Sequence, residues 1–213
     1  PVVAVMGIGQ NVQKFDLQLY LRSRFIDKGY KVSQIGTKKI SGLFGLHPLP
    51  DFLFNTQYSD VDKVYAFNRV MKDVSMQEKP DVILLGIPDS LLPLNNKHRF
   101  SFGLYAYEIF NAVQPDFVIT SLMANDGYND EFYSEISKMA KYKYNVNIDA
   151  YFVSQFCPLS NSIWSEKLSY VYLPRMELPK TEYKVYTTSD LNNDILFKQA
   201  EKKLLLYGKY EQY

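Results

Sequence analysis

The sequence is poor in the residues that build disulfides and metal sites. It contains one cysteine, Cys157, so an intrachain disulfide and a cluster of thiolate metal ligands are both excluded. Its two histidines, His47 and His98, are too few for a histidine-rich metal site. Cys157 and His98 show no spacing typical of a nucleophilic pair, and a lone cysteine usually behaves as a small buried hydrophobe.

The chain also lacks the signals of a membrane protein or a nucleic-acid-binding protein. No run approaches the roughly 18 apolar residues that a membrane-spanning helix needs, and the N-terminus lacks the features of a signal peptide. The net charge is +1, so bulk electrostatics favour neither nucleic acid nor a membrane surface as a partner. We therefore expect a cytoplasmic protein with neither kind of partner, and its oligomeric state is not specified by the sequence.

What is present is the composition of a globular protein. The 213 residues are 46% hydrophobic and 22% charged, which suits one large domain with a substantial core. We predict a single domain over residues 1–213, with its core in 1–155 and a C-terminal extension in 156–213. The strand-like start at Pro1 fits either removal of an initiator Met or a fragment of a longer protein. The 18 Tyr and 14 Phe serve either as core or as an aromatic-rich interface.

The first fifteen residues form the most informative stretch. Apolar, β-branched residues run into two glycines, Gly7 and Gly9, and a helical pattern follows. This order predicts a strand, a glycine loop and a helix, whose loop amides and N-terminus together favour phosphate. A P-loop has Gly, four residues, Gly, Lys and then Ser or Thr. With Lys14 aligned on the P-loop lysine, Ile8 and Gln13 occupy the glycine positions and a phenylalanine occupies the hydroxyl position.

We predict that a phosphate or nucleotide site at this loop consists of the loop amides and one ammonium group. The expected site residues are Gly7, Gly9, Gln10, Asn11, Val12, Gln13 and Lys14. We expect the Lys14 side chain to be exposed, and the Phe15 ring to turn into the core instead of filling the Mg²⁺ position. An inherited turn with a solvated lysine remains an open alternative. A dinucleotide site is disfavoured, because the third glycine of Gly-x-Gly-x-x-Gly and an acid after the second strand are both missing.

Apolar runs of strand length alternate with helical patterns through residue 153. We predict strands at 2–6, 30–35, 82–87, 117–120 and 148–153, and helices at 15–26, 61–74, 104–113 and 130–142. Residues 38–59 fit a long loop and 169–173 an edge strand. A final helix is predicted from Ser189-Asp190 through Leu206, ended by Gly208. Pro-Asp turns before two strands indicate consecutive parallel strands. The predicted fold is α/β, a three-layer sandwich with a mainly parallel central sheet and the first strand near its middle.

Polar residues follow two of the buried strands, at the edge where ligands bind in open α/β sheets. Asp89 comes just after the strand at 82–87 and is a candidate Mg²⁺ ligand. Its simpler interpretation is a Pro-Asp-Ser turn. Asn125 and Asp126 follow the next strand and have the same two interpretations.

Two groups of motifs resemble known protein families. The first group is Val5 to Leu19, Gly29-Tyr30-Lys31-Val32 and Ile35-Gly36-Thr37. It is similar to the dethiobiotin-synthetase-like branch of P-loop proteins, in which a variant phosphate loop opens a helix. The second group is Gly86-Ile87-Pro88-Asp89-Ser90, Phe102 to Ile109 and Gln114-Pro115-Asp116. It resembles, more narrowly, a bacterial peptide-maturation-system family encoded beside small modified peptides of natural-product clusters. The resemblance covers roughly residues 1–155, and it implies a P-loop NTPase-like fold without supplying a reaction.

Three functional hypotheses follow from the loop and the resemblance. The first is a non-catalytic or weakly nucleotide-binding component of a peptide-modification system, with a peptide or maturation-system proteins as partners. The second is a nucleotide-dependent transferase or ligase that uses ATP or GTP with Mg²⁺, with Lys14 holding phosphate and Asp89 directing the metal. The third is a protein-interaction module whose ancestral site is filled.

Overall fold

The computed structural model describes residues 1–174 and 176–207, without the side chains of Lys39 and Tyr207. Its main sheet has seven strands: β1 (Val2–Gly7), β2 (Val32–Gly36), β3 (His47–Pro48), β4 (Val82–Gly86), β5 (Phe117–Leu122), β6 (Ala150–Val153) and β9 (Val185–Tyr186). The strand order is β3-β2-β4-β1-β5-β6-β9. Every neighbouring pair in this order is parallel. The predicted parallel sheet with the first strand at its middle is therefore confirmed.

Helices cover both faces of this sheet. They are α1 (Lys14–Asp27), α2 (Asp60–Glu78), α3 (Leu104–Ala112), α4 (Asp130–Tyr144), α5 (Thr188–Leu191) and α6 (Ile195–Tyr207). On one face α2, α3 and α4 contribute Phe67, Ile109 and Ala140 to a single core cluster. On the other face α1 and α6 contribute Leu21 and Phe197 to a second cluster. The fold is thus a three-layer α/β sandwich, and none of its described helices is long and apolar enough to cross a membrane.

Three aspartates that immediately precede strands fix the register of the parallel sheet. Each carboxylate accepts the N–H of a residue at the start of a neighbouring strand, at 2.7–2.9 Å. Each aspartate N–H in turn donates to the carbonyl of that same residue, at 2.8–2.9 Å. The pairs are Asp81 with Lys31, Asp116 with Val2 and Asp149 with Val118. The Pro-Asp turns predicted at two of these positions therefore align adjacent strands as well as starting their own.

The structure corrects the predicted C-terminal elements. The predicted edge strand at 169–173 is β8 (Tyr170–Tyr172), which pairs with β7 (Phe156–Pro158) in a separate antiparallel hairpin. The sheet edge is formed instead by the two-residue strand β9, which is too short to show a period. The predicted final helix is split into α5 and α6, and Thr187 caps α5 in a capping box with Asp190. Gly208 lies outside the described residues.

Other differences are local. The predicted loop at 38–59 contains β3 and two short 3-10 helices, Lys39–Phe44 and Asp51–Phe54. In α1 the buried stripe is Leu17, Leu21 and Phe25, whereas the neighbouring Ile26 is 46% exposed. The buried face of α1 is therefore the stripe of Leu17, Leu21 and Phe25, and Ile26 lies outside it.

Candidate phosphate site

The loop between β1 and α1 is held by the ends of the two strands beside β1. Leu91 N–H, just after β4, donates to the Gly7 carbonyl at 2.9 Å. On the β5 side, Ile8 N–H donates to the Ser121 carbonyl at 3.0 Å, and the Ser121 hydroxyl donates to the Val12 carbonyl. These contacts place the loop at the carboxyl edge of the sheet, where ligands bind in this class of fold.

Both glycines of the loop lie in close packing. A Cβ on Gly7 would lie 2.7 Å from Val12 Cγ2 and 3.0 Å from Lys14 Cδ. A Cβ on Gly9 would lie 2.5 Å from Met123 Cε. The missing side chains allow Val12 to fold beneath the loop and the Lys14 stem to pass over Gly7.

The loop keeps a glycine-like backbone at the position where a P-loop has its second glycine. Gln13 is in the left-handed region with φ 56° and ψ 25°, and Asn11 has φ 53°. The side chain of Gln13, the N-cap residue of α1, makes no capping hydrogen bond. The first N–H groups of the helix therefore stay available to a ligand at the loop. The Gln13 side chain makes a distant contact instead, because its Oε1 accepts the N–H of Gln155 at 2.7 Å.

Lys14 is buried, so the expectation of an exposed side chain is wrong. Only 9% of the residue is accessible, and its ammonium donates to the backbone carbonyl of Asp89. Burial lowers the pKa of Lys14 to about 8, and the nearby Asp89 charge opposes this shift. The loop after β4 thus supplies the acceptor for the buried lysine.

Asp89 lies beside Lys14, as its position after β4 suggested. One of its carboxylate oxygens accepts from Gln10 Nε2 at 3.1 Å, and the other accepts the N–H of Ser101 at 2.7 Å. Asp89 itself has φ 56°. Among the described residues, no three His, Cys, Asp or Glu side chains group in a way that could hold a metal ion. The role of Asp89 as a Mg²⁺ ligand therefore stays a prediction.

A cavity of about 300 Å³ opens at the N-terminus of α1. It is lined by Asn11, Val12, Gln13, Lys14, Phe15, Asp16, Thr37, Lys38, Phe156 and Tyr170. The first four belong to the predicted site. The predicted site did not include Thr37 and Lys38, which follow β2, or Phe156 and Tyr170 of the β7–β8 hairpin. No motif in the sequence links these residues to the loop.

Phe15 is only 7% exposed, so its ring is buried, as expected for a ring that does not fill the Mg²⁺ position. The residue also borders this cavity. A Cβ on Gly36 would lie 3.2 Å from Phe15 Cε2, so the ring packs on the end of β2. Its centroid is 6.1 Å from that of Phe44, and the Lys38 ammonium lies 5.6 Å from it. The ring is therefore buried on the β2 side of the cavity.

The structure does not bring the other rim candidates into this cavity. Asn125 Oδ1 accepts the N–H of Gly127 at 2.8 Å, as expected for a local turn. Asn125 and Asp126 line a different cavity, together with Leu173 and Met176. Their simpler interpretation as a turn accounts for the contacts observed.

A parallel sheet whose central strand leads through a glycine loop into a helix that begins at a lysine is the arrangement of P-loop proteins. The fold is P-loop NTPase-like. No family model matches the chain, and no curated protein matches it.

Solved structures provide the remaining comparisons. The chain is similar to a DUF1611-family protein from Anabaena variabilis, with a TM-score of 0.53 and 14% identity, over 72% of this chain and 45% of that one. The chain thus spans less than half of that relative. A MobB protein homolog from Bacillus stearothermophilus has a TM-score of 0.43 and 11% identity, over 96% and 98% of the two chains. Cobyrinic acid a,c-diamide synthase from Mycobacterium smegmatis has a TM-score of 0.45 and 15% identity, over 71% and 73%.

Proposed function

We propose that the glycine loop binds the phosphate groups of a nucleotide, and that the domain is a non-catalytic or weakly nucleotide-binding component of a larger system. The observation that carries this proposal is the buried Lys14. A charged lysine is costly to bury. Here the buried Lys14 lines a cavity at the N-terminus of α1, and its ammonium has the Asp89 carbonyl as its acceptor. A bound phosphate would offset that cost by supplying the opposite charge.

The residues around the lysine support binding more than turnover. In P-loop enzymes a Ser or Thr after the lysine holds Mg²⁺, and this chain has Phe15 there. The Asp89 carboxylate, which is the nearest candidate for an acidic metal ligand, already accepts hydrogen bonds from Gln10 and from the Ser101 N–H. Metal binding at Asp89 would therefore compete with two contacts that order the loop.

Isothermal calorimetry with ATP, GTP and inorganic phosphate, with and without Mg²⁺, tests this proposal. The key variant is Lys14→Met, which keeps an unbranched stem over Gly7 and removes the charge. Its matched control is Lys72→Met, an exposed lysine on α2, across the sheet. A charge-assisted hydrogen bond contributes about 1.5–3 kcal/mol. We therefore expect Lys14→Met to weaken binding roughly 10- to 150-fold and Lys72→Met to leave it unchanged.

Two other outcomes would favour the alternative hypotheses. Micromolar binding that requires Mg²⁺ and is lost in Asp89→Asn would favour a transferase or ligase, because Asp89 lies next to Lys14. No binding at millimolar nucleotide would favour an interaction module and would contradict the proposal. The larger system that we propose is one of peptide modification, on the basis of the motif resemblance alone. Co-purification of the domain with a precursor peptide or a maturation protein would test that setting.

A further inference from the structure

The β7–β8 hairpin presents an aromatic face to the phosphate cavity. Phe156 pairs with Tyr172 and Pro158 with Tyr170 across the hairpin. Because directly paired residues of an antiparallel ladder share a face, these four side chains lie together. The rings of Phe156 and Tyr172 are 5.5 Å apart, centroid to centroid. Phe156 and Tyr170 also line the cavity that contains Lys14.

Hydrogen bonds fix the hairpin relative to the loop. Ala124 N–H, just after β5, donates to the Phe156 carbonyl at 2.8 Å. Gln155, one residue before β7, donates its N–H to Gln13 Oε1 in the loop at 2.7 Å. The Gln155 carbonyl accepts the N–H of Leu173, just after β8, at 2.7 Å. The β7–β8 hairpin is therefore connected to the loop through the hydrogen bond between Gln155 and Gln13.

The lining of the cavity combines two kinds of chemistry. Lys14, the loop and the N-terminus of α1 favour an anion. Phe156 and Tyr170 add two half-buried rings to the same lining. Burial raises the pKa of the Tyr170 hydroxyl, which keeps this wall neutral. At about 300 Å³, the cavity is at the small end of the range for ligand pockets, about 300–1,000 Å³.

We propose that Phe156 and Tyr170 form the base-binding wall of the site, and that its ligand is a nucleotide whose base stacks on these rings. The inference rests on the proposed function, because it needs the phosphates to be held at the loop. Stacking tolerates different bases, since every base has a π-face. We therefore expect ATP and GTP to bind with affinities within about tenfold of each other, and both to bind more tightly than tripolyphosphate.

The test compares ATP with tripolyphosphate by calorimetry in the whole chain. Phe156→Leu keeps an apolar side chain and removes the ring, whereas Phe156→Tyr keeps the ring. Removing a stacking ring weakens base binding by about 5- to 150-fold. We expect that loss for ATP in Phe156→Leu, recovery in Phe156→Tyr, and unchanged tripolyphosphate binding in both variants. The control is Trp164→Ala, because Trp164 is a 73% exposed aromatic residue between β7 and β8 that does not line the cavity.

Tripolyphosphate binding and a thermal melt establish that each variant is folded. If ATP and tripolyphosphate bind the unmodified protein equally, or if Phe156→Leu binds ATP normally, the base wall is refuted while the phosphate site stands. If neither ligand binds the unmodified protein, the proposed function fails and the base wall fails with it.

Discussion

The buried charge of Lys14 should make stability depend on pH in a way that one substitution removes. The pKa of this lysine falls from 10.5 to about 8 on folding. Since one pKa unit corresponds to 1.36 kcal/mol, keeping the group charged in the folded protein costs about 3 kcal/mol at pH 7. Lys14→Met removes this cost and keeps the packing of the stem against Gly7 and Val12.

The sign follows from proton counting. Between pH 8 and 10.5 the unfolded chain holds a proton on Lys14 that the folded protein has released, so stability rises with pH in this window. Below pH 8 the full cost is present, and above 10.5 it is absent. We expect the unfolding free energy of the unmodified protein, relative to Lys14→Met, to rise by about 1.4 kcal/mol per pH unit between these limits.

Urea unfolding of the two proteins at several pH values from 6 to 11 measures this difference. Groups common to both proteins, including the tyrosines, cancel in the comparison. Equal pH dependence in both proteins would refute the assignment of a buried, charged Lys14. The same pKa predicts that nucleotide affinity in the unmodified protein falls as pH rises above 8, by up to about tenfold per unit, because phosphate binds the protonated lysine.

Two further predictions concern packing and a second buried charge. Gly7→Ala should cost about 1–3 kcal/mol and weaken nucleotide binding, because the new Cβ meets Val12, Lys14 and the Ser121 carbonyl. Gly42→Ala, where a Cβ meets nothing within 4 Å, is the control in the same urea assay, and an equal effect of both would contradict the packing argument. Lys63 and Glu108 form a buried ion pair between α2 and α3 at 3.1 Å, with side chains 7% and 0% exposed, and burial raises the Glu108 pKa. Lys63→Met should lower the free energy of unfolding by about 3–5 kcal/mol, because it leaves the Glu108 carboxylate buried without its partner. Adding Glu108→Leu should recover most of this loss. A double variant that is no more stable than Lys63→Met would contradict this explanation.

The central part of the fold was predictable because its signals are local. The central strands β1 and β4 are continuous apolar runs between turns and helical patterns, so their composition and length identify them. The edge strands β3 and β9 have two residues each, which is too few to show any period. Their positions depend on neighbours in the sheet, and a sequence pattern does not contain that information.

The site was predictable only on its loop side. The glycines, Lys14 and Asp89 follow from strand ends that meet at one edge of a parallel sheet. The burial of Lys14 was not predictable from local pattern, because it depends on the Asp89 carbonyl 75 residues away. Phe156 and Tyr170 have no signal of their own, since the bond that links their hairpin to the loop joins residues 142 positions apart.

The departures of this loop from the P-loop pattern have structural consequences beyond the loss of glycine. Gln13 holds a left-handed backbone, which costs a residue with a Cβ roughly 1–2 kcal/mol. Its side chain offsets part of that cost through the hydrogen bond to Gln155, typically about 0.5–1.5 kcal/mol. A glycine at this position would relieve the backbone and remove the bond. Glutamine at this position therefore joins the glycine loop to the β7–β8 hairpin by a hydrogen bond that glycine could not make. That bond gives a physical reason for glutamine at a position where glycine would be less strained.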